Sequence, residues 1–337
     1  MPTYTKQEKE PASTEVTEAA PGVLRMQLPI SMPGLGHVNC YAIEDADGVA
    51  VVDPGLPGPA SWRALQNRLS DAGIPLRRVH TVLVTHSHPD HFGGVDRLSA
   101  ESGARVVAHS EFGSMWAREG GRPTRPWDRP TPWGGRMYKP PLRRRLAYRV
   151  MGRAMGSRWQ APHPSERVDD ETPVRLAGRE WRVLHTPGHT LDHICLLDPE
   201  AGVMLSGDHV LPTITPHISG VGTGPDPLSE FLSSLDRVAA IDEVQRVLPA
   251  HGHPFADLPG RVKDIKRHHE ERLNRLREAS SELGPATVEQ LAEQLFKRRS
   301  WGPMAHSETY AHLEHLRLAG EADRYEDGGR LLYDINR

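Results

Sequence analysis

The sequence predicts a layered α/β domain followed by a smaller winged-helix domain. From about residue 22 to residue 256, short apolar runs typical of strands alternate with segments of helical periodicity, which is the pattern of helices packed on sheets. Residues 284–337 are typical instead of two helices and a β-hairpin. Histidine and aspartate residues recur directly after several predicted strands, where α/β folds assemble their sites.

The first domain, 21–257, begins with antiparallel strands separated by Gly, Pro and Asp. Three short apolar runs predict these strands at 23–30, 38–44 and 49–53. Apolar residues at helical spacing then predict a helix over 59–72 that ends at Gly73. Farther along, the same patterns predict helices at 94–102 and 227–240 and strands at 79–85, 104–109, 173–176, 180–185, 193–197, 202–205 and 244–250.

One stretch of this domain breaks the alternation. Residues 116–160, within an insertion of about 113–165, carry twelve Lys and Arg against two acidic residues, a net charge of +10 in a chain of net charge −3. Three interpretations are open: a solvated loop, a cap that selects an anionic substrate, or a contact for membrane or nucleic acid. Arg144, Arg145 and Arg149 are candidate substrate-binding residues, because guanidinium groups pair with phosphate or carboxylate. Four tryptophans offer either a stacking surface or a small core of the insertion's own: Trp116, Trp127, Trp133 and Trp159.

The last eighty residues predict a linking helix and then the winged-helix domain. Residues 258–283 place apolar or histidine positions three and four residues apart, which indicates a long amphipathic helix. Within 284–337, two helical segments precede two strands around Asp327-Gly328-Gly329, a hairpin turn signal. The second helical segment has two Glu and one Arg, which is a poor composition for contacting phosphates. We therefore expect this domain to pack on the first one or to form a dimer.

Composition excludes several classes of protein. No apolar stretch approaches the roughly 18–20 residues of a membrane helix. The first twenty residues are polar and acidic, without the apolar stretch of a secretory signal, and predict a disordered tail over 1–20. Only two cysteines occur, Cys40 and Cys195, which excludes a disulfide scaffold and favours the cytoplasm. The 19 histidines are the first indication of a metal site.

The strongest functional signal follows the strand predicted at 79–85. Residues 86–91 read His-Ser-His-Pro-Asp-His, and imidazole nitrogens with a carboxylate suit zinc and similar metals. Three further candidates, His189, Asp208 and His251, each follow an apolar run and have small flanking residues. A solvated histidine-rich loop would account for the first cluster alone, but not for all of these pieces in this order.

With these motifs the chain resembles the metallo-β-lactamase superfamily, over the span from Asp53 to His251. The resemblance implies an αββα sandwich that holds two zinc ions at one edge of its two sheets, with iron or manganese as alternative metals. Asp53, in the motif VVDPG, matches the aspartate that orients metal ligands in this family; a turn aspartate before Pro54 is the alternative. The resemblance implies that one metal is held by His86, His88 and His189. The second would be held by Asp90, His91 and His251, and Asp208 would bridge the two metals.

The same resemblance implies hydrolysis by a hydroxide that bridges the two metals. Zinc ions about 3.5–4 Å apart can share a water and lower its pKa toward about 7. The hydroxide is expected to attack an electrophilic carbonyl or phosphorus. Asp90 is expected to bind one metal and also to orient the attacking water or accept its proton. His193 is expected at the edge of the site as a donor to an oxyanion, with a histidine that caps a strand as the alternative.

Further motifs narrow the resemblance. TPGHTLDHICLL, SGDHVLPTITP and PAHGHP, followed by a long helix and a winged helix, resemble the β-lactamase-like protein 2 hydrolases, a subgroup that includes an endoribonuclease. We expect hydrolysis of an ester, thioester or related bond in a small, anionic molecule. Glyoxalase II is disfavoured, because a winged helix occupies the place of that family's glutathione-binding domain.

Three alternative functions stay open. They are an endoribonuclease on single-stranded RNA, an iron dioxygenase of the same fold and, outside enzymes, a winged-helix regulator that binds DNA. A small-molecule substrate is therefore the favoured partner and nucleic acid a less favoured one. No membrane partner is expected, and a homodimer is an open alternative.

Overall fold

Two β-sheets face each other in this computed structural model, which describes residues 6–32, 34–113, 131–134 and 161–335. The first sheet has seven strands in chain order: β1 (Val16–Ala20), β2 (Val23–Met32), β3 (Leu35–Glu44), β4 (Val49–Val52), β5 (Val79–Leu83), β6 (Arg105–His109) and β7 (Glu166–Val168). The second has five strands: β8 (Pro173–Leu176), β9 (Arg179–His185), β10 (Ile194–Asp198), β11 (Val203–Gly207) and β12 (Arg246–Pro249). Its spatial order is β12-β11-β10-β9-β8.

Helices lie outside the two sheets, and a small third sheet closes the described chain. The first half contributes α1 (Pro59–Asp71), α2 (Pro89–Phe92) and α3 (Val95–Ser102). The second half contributes α4 (Pro227–Ala239), α5 (Leu258–Leu283), α6 (Val288–Leu295) and α7 (Pro303–Leu318). The last strands are β13 (Ala286–Thr287), β14 (Ala322–Asp327) and β15 (Arg330–Ile335), in the order β13-β15-β14. Among the described helices, none combines the length and the apolar character that a bilayer span requires.

Three apolar cores separate the layers, and alternate side chains of one strand enter different cores. In β10, Ile194 and Leu196 belong to the core between the two sheets, whereas Cys195 and Leu197 belong to the core under α4 and α5. A third core joins the outer face of the first sheet to α1 and α3. Because both faces of β4 and β10 are buried, their sequences begin as continuous apolar runs, VAVV and ICLL. The layers form the αββα sandwich that the family resemblance implies.

The C-terminal segment completes the outer core of the second sheet. Tyr333 and Ile335 of β15 and Leu313 of α7 lie in the same apolar cluster as Met204 of β11 and Val247 of β12. The order helix, helix, hairpin expected for 284–337 is present as α6, α7 and the β14–β15 pair. The division into domains at residues 257 and 283 stays a prediction, because the packing is continuous across it.

The expectation of a disordered tail over 1–20 is wrong for residues 6–20. β1 pairs antiparallel with β2, and the carboxylate of Glu8 is fully buried. That carboxylate accepts hydrogen bonds from the backbone N–H groups of Thr213 at 2.8 Å and Ile214 at 3.0 Å. Its partners lie some two hundred residues away along the chain, so the local polar composition could not indicate them.

One tryptophan of the basic insertion packs against the C-terminal segment. Trp133 is 3% exposed, its ring centroid lies 5.2 Å from that of Tyr310, and its carbonyl accepts a 2.9 Å hydrogen bond from the N–H of Leu331. Trp133 thus belongs to the outer core of the second sheet, a location that neither interpretation of the insertion's tryptophans included. The other predicted residues of the insertion lie outside the described residues: Arg144, Arg145, Arg149, Trp116, Trp127 and Trp159.

Acid is expected to destabilise the fold through His312 of α7. Burial lowers the pKa of this fully buried side chain from 6.5 to about 4. The unfolded chain therefore binds the proton first, and the free energy of unfolding should fall between about pH 6.5 and pH 4, by up to ~3 kcal/mol for this group. Chemical denaturation at several pH values should show a shallower dependence for His312→Gln than for the wild type. The same slope for both proteins would contradict this assignment.

Candidate metal centre

Seven histidine and aspartate side chains converge where strands of both sheets end. β11 and β12 are parallel, and β9 and β11 both run antiparallel to β10, so β9, β11 and β12 end at one edge. The residues placed there are His189 after β9, Asp208 after β11 and His251 after β12. A 2.9 Å hydrogen bond from the N–H of Ile194 to the carbonyl of Thr85 joins this edge to the loop after β5. That loop and α2 carry the remaining candidate ligands: His86, His88, Asp90 and His91.

The first group contains His86, His88, His189 and Asp208. Nδ1 of His88 lies 3.0 Å from Nε2 of His86 and 3.1 Å from Nε2 of His189. Oδ2 of Asp208 lies 3.5 Å from Nε2 of His189. One ring nitrogen faces two others here, so their lone pairs share a small space suited to a cation.

The second group contains Asp90, His91 and His251. Oδ2 of Asp90 lies 3.5 Å from Nε2 of His251 and 3.8 Å from Nε2 of His91. Asp208 reaches this group as well, with Oδ1 at 3.3 Å from Nε2 of His251 and Oδ2 at 3.6 Å from Nε2 of His91. The carboxylate of Asp208 therefore lies between the two groups.

The unpaired atoms of these residues fit divalent cations. Nε2 of His91, Nε2 of His251 and Oδ1 of Asp208 are buried and have no hydrogen-bond partner within the described part of the chain. A buried polar atom left unpaired costs about 1–3 kcal/mol, and three such atoms aimed at one another need a common partner. Imidazole and carboxylate together are the donor set of zinc-class metals.

Asp53 fixes the orientation of one candidate ligand. Its Oδ2 accepts a 2.9 Å hydrogen bond from Nδ1 of His91, which turns Nε2 of that ring toward the second group. The same carboxylate accepts from the N–H of Thr85 at 2.9 Å and from its hydroxyl at 2.8 Å. This is the contact expected of an aspartate that orients a metal ligand.

Burial and mutual charge set the protonation of the cluster. Burial, together with His91 and His88, holds the pKa of His86 well below its usual value. Burial alone would raise the pKa of Asp208, but His251 and His91 hold it well below its usual value. Burial alone would lower the pKa values of His91 and His251, but Asp53 and Asp208 beside His91, and Asp208 beside His251, raise both. Because metals bind the neutral imidazole and the ionised carboxylate, metal binding at the second group would release protons from these rings.

The matching family model covers residues 33–251, and it describes the metallo-beta-lactamase superfamily. That span includes both ligand groups and Asp53. The chain belongs to the metallo-β-lactamase superfamily.

Similar proteins extend this likeness over most of the chain. A metallo-beta-lactamase family protein from Thermus thermophilus has a TM-score of 0.74 and 31% identity, covering 94% of this chain and 99% of its own. A beta-lactamase domain protein from Burkholderia ambifaria has a TM-score of 0.76 and 28% identity, covering 98% of this chain and 97% of its own. A curated relative, an atrochrysone carboxyl ACP thioesterase from Claviceps purpurea, is 27% identical over 300 residues, which are 85% of this chain and 76% of that protein.

His193 lies behind the candidate metal ligands. The expectation that it donates a hydrogen bond to an oxyanion needs correction. Its Nε2 accepts a 3.0 Å hydrogen bond from the N–H of Asp208, and its Nδ1 donates to the hydroxyl of Thr186 at 2.7 Å. Both nitrogens are thus engaged by the protein, and the ring is fully buried. A Cβ at Gly207 would lie 2.6 Å from this Nε2, so a glycine is needed for the approach. His193 positions Asp208.

Two backbone carbonyls also support the centre. The carbonyl of His37 accepts a 2.7 Å hydrogen bond from Nδ1 of His251, and the carbonyl of His217 accepts one of 2.7 Å from Nδ1 of His189. Backbone carbonyls leave no signature in residue type, so only the abundance of histidine hinted at further roles.

Loss of the Asp53 carboxylate is expected to weaken the second group selectively. Asp53→Asn replaces one acceptor oxygen by an amide donor, so the side chain can no longer accept all three hydrogen bonds from His91 and Thr85. We expect metal affinity to fall by about 10–100-fold, measured by competition with a chelating dye. Asp45→Asn is the matched control, because Asp45 accepts turn N–H groups at 2.6–2.8 Å, an interaction that an asparagine side chain also makes. Wild-type affinity in Asp53→Asn would contradict the assigned role.

Proposed function

We propose that this protein is a binuclear, zinc-dependent hydrolase that cleaves an ester, thioester or related bond in a small, anionic substrate. The observation that carries the proposal is the position of Asp208, whose two oxygens lie 3.3–3.6 Å from histidine nitrogens of both ligand groups. His86, His88 and His189 would hold one cation, and Asp90, His91 and His251 the other. Bound in these positions, the cations would supply Lewis acidity and lower the pKa of a coordinated water.

The residues of the chain contribute position and proton transfer. Asp90 is buried, with Oδ2 at 3.5 Å from Nε2 of His251, where it would orient the attacking water and accept its proton. His193 would hold the backbone of Asp208 in place through its 3.0 Å hydrogen bond. The carbonyls of His37 and His217 would fix the tautomers of His251 and His189.

The two cysteines are unsuited to nucleophilic catalysis. Both are free thiols and fully buried, and burial raises the pKa of Cys195 to about 12. Burial also raises the pKa of Cys40 well above its usual value. Since the thiolate is the reactive form, these side chains do not compete with an activated water. Free thiols also support a cytoplasmic location.

A thioester or ester is favoured as the scissile bond because a relative with 27% identity is named as an ACP thioesterase. The basic insertion, as predicted from its sequence, adds a preference for anionic substrates. We place the chain in the β-lactamase-like protein 2 subgroup on its motifs and on the succession α6, α7 and β14–β15, which we interpret as a winged helix.

The arrangement of α7 supports an enzyme over a DNA-binding regulator. In a winged helix that reads DNA, the second helix exposes one face to the major groove. In α7, nine of sixteen residues are buried, including Glu308 and Glu314. The helix packs against α4, α6 and the hairpin, so it offers little surface to a groove.

A substrate panel tests the proposal. Zinc-loaded protein is assayed with acyl-thioesters, simple esters, lactones and a labelled single-stranded oligoribonucleotide. Metal content is determined in protein purified without added metal, which distinguishes zinc from iron or manganese. Turnover of a thioester or ester that disappears with a chelator and returns with zinc is the expected result. Cleavage of the oligoribonucleotide alone would instead establish the endoribonuclease alternative, and hydrolysis unaffected by metal removal would refute the proposal.

A further inference from the structure

Two histidines occupy equivalent places behind the two ligand groups. The backbone carbonyl of His37 accepts a 2.7 Å hydrogen bond from Nδ1 of His251. The backbone carbonyl of His217 accepts one of the same length from Nδ1 of His189. We call His37 and His217 the supporting histidines. Each backbone carbonyl can stay in place only if its own residue is fixed, and in both cases the imidazole ring of that residue is bound by another part of the chain.

The ring of His37 is tied to the N-terminal strap, residues 6–13. Its Nδ1 donates to the carbonyl of Glu10 at 2.7 Å, and its Nε2 accepts from the N–H of Gly252 at 3.2 Å. The strap itself is anchored by the buried carboxylate of Glu8 and by Gln7, whose side-chain oxygen accepts from the N–H of His253 at 3.0 Å. Both ring nitrogens of His37 are thus satisfied, and the ring is fully buried.

The ring of His217 is tied to α7, close to the opposite end of the chain. Its Nδ1 donates to Oε2 of Glu308 at 3.2 Å, while Oε1 of Glu308 pairs with Arg272 of α5. Glu308 is 8% exposed, so little solvent competes for its carboxylate. The neighbouring hydroxyl of Ser307 accepts from the N–H of Gly220 at 3.2 Å, which holds the loop of His217 against the same helix.

We propose that the two metal groups are held separately from opposite ends of the chain, the second group by the strap through His37 and the first group by Glu308 through His217. The inference rests on the proposed metal centre. A partner that orients a metal-binding imidazole commonly contributes 10–100-fold in metal affinity. Because the two supports share no hydrogen bond with each other among the described residues, each should act on its own group.

Matched pairs of variants separate the two supports. His37→Phe keeps a ring of similar size but removes both hydrogen bonds, whereas His37→Gln keeps a donor and an acceptor. Glu308→Ala removes the acceptor for His217, whereas Glu308→Gln retains one. Stepwise zinc release to a competing chelator is measured for each protein, with zinc content and thermal unfolding recorded in parallel. Asp53→Asn identifies the release step that belongs to the second group, through its contact with His91.

The expected result is selective weakening. His37→Phe should raise the dissociation constant about 10–100-fold for the step that Asp53→Asn also affects, and Glu308→Ala should do so for the other step. The glutamine variants should recover most of each loss, and combining His37→Phe with Glu308→Ala should weaken both steps independently. Wild-type affinity in both steps for either His37→Phe or Glu308→Ala, or equal weakening of both steps by one of them, would overturn the inference while leaving the proposed function intact. A wild-type protein that binds no zinc would instead refute the proposed function.

Discussion

Asp208→Ala is expected to abolish activity and to lose both metals together. The carboxylate lies within 3.6 Å of nitrogens from His189, His91 and His251, so its removal takes an oxygen ligand from each group at once. It also removes the negative charge that offsets several buried imidazoles. We expect kcat/KM to fall by more than about 100-fold, beyond the range typical of residues that only orient a ligand. Activity and zinc content are measured on the same preparation.

A surface aspartate provides the comparison. Asp236 pairs with Lys266 through an exposed 2.6 Å contact, and Asp236→Ala should keep full activity and two metals. If Asp208→Ala lost one metal and kept the other at wild-type affinity, Asp208 would belong to one group only. Full turnover by metal-free Asp208→Ala would rule out metal-dependent hydrolysis.

Trp133→Ala should be among the most destabilising single substitutions outside the metal centre. Its ring is 3% exposed and packs in the core that joins the second sheet to the C-terminal segment. Truncating a buried Trp to Ala typically costs about 3–5 kcal/mol, through lost burial and the cavity that remains. Denaturant unfolding of the zinc-loaded protein measures this difference in the free energy of unfolding.

Trp301 serves as the control for the loss of an indole ring. Its side chain is 42% exposed, although its Nε1 donates to the carbonyl of Phe296 at 2.9 Å. Trp301→Ala should therefore cost clearly less than Trp133→Ala, because its ring is less buried and its removal leaves no enclosed cavity. Equal destabilisation by Trp133→Ala and Trp301→Ala would show that Trp133 is not part of the core in solution.

The candidate ligands could be predicted because each carries a local signal. His86, His189, Asp208 and His251 all follow apolar runs, and strand ends at one edge bring such residues together. The layered fold was equally accessible, since strands buried on both faces are apolar throughout. These features depend on residue type and short-range spacing, which a single sequence displays.

What sequence reasoning missed depends on contacts between distant residues. Glu8 is polar and lies in a polar segment, yet it is buried because Thr213 and Ile214 supply its hydrogen-bond donors. His193 was expected to face the substrate, but the small Gly207 lets its ring reach the backbone of Asp208 instead. Trp133 likewise packs against Tyr310, which lies far along the chain. No local pattern encodes such partners.

The shared core under α4 and α5 has a consequence for folding during synthesis. Asp208 follows β11 and His251 follows β12. Met204 of β11 and Val247 of β12 lie in one apolar core with Tyr333 and Ile335 of β15. A ribosome releases residues in order, and domains usually fold as units when they emerge. In this protein, α4 and α5 can cover the sheet that carries His189, Asp208 and His251 early, but its outer core would stay incomplete until β15 has left the exit tunnel. Nascent chains stalled before β15 should consequently be sensitive to protease and prone to chaperone binding.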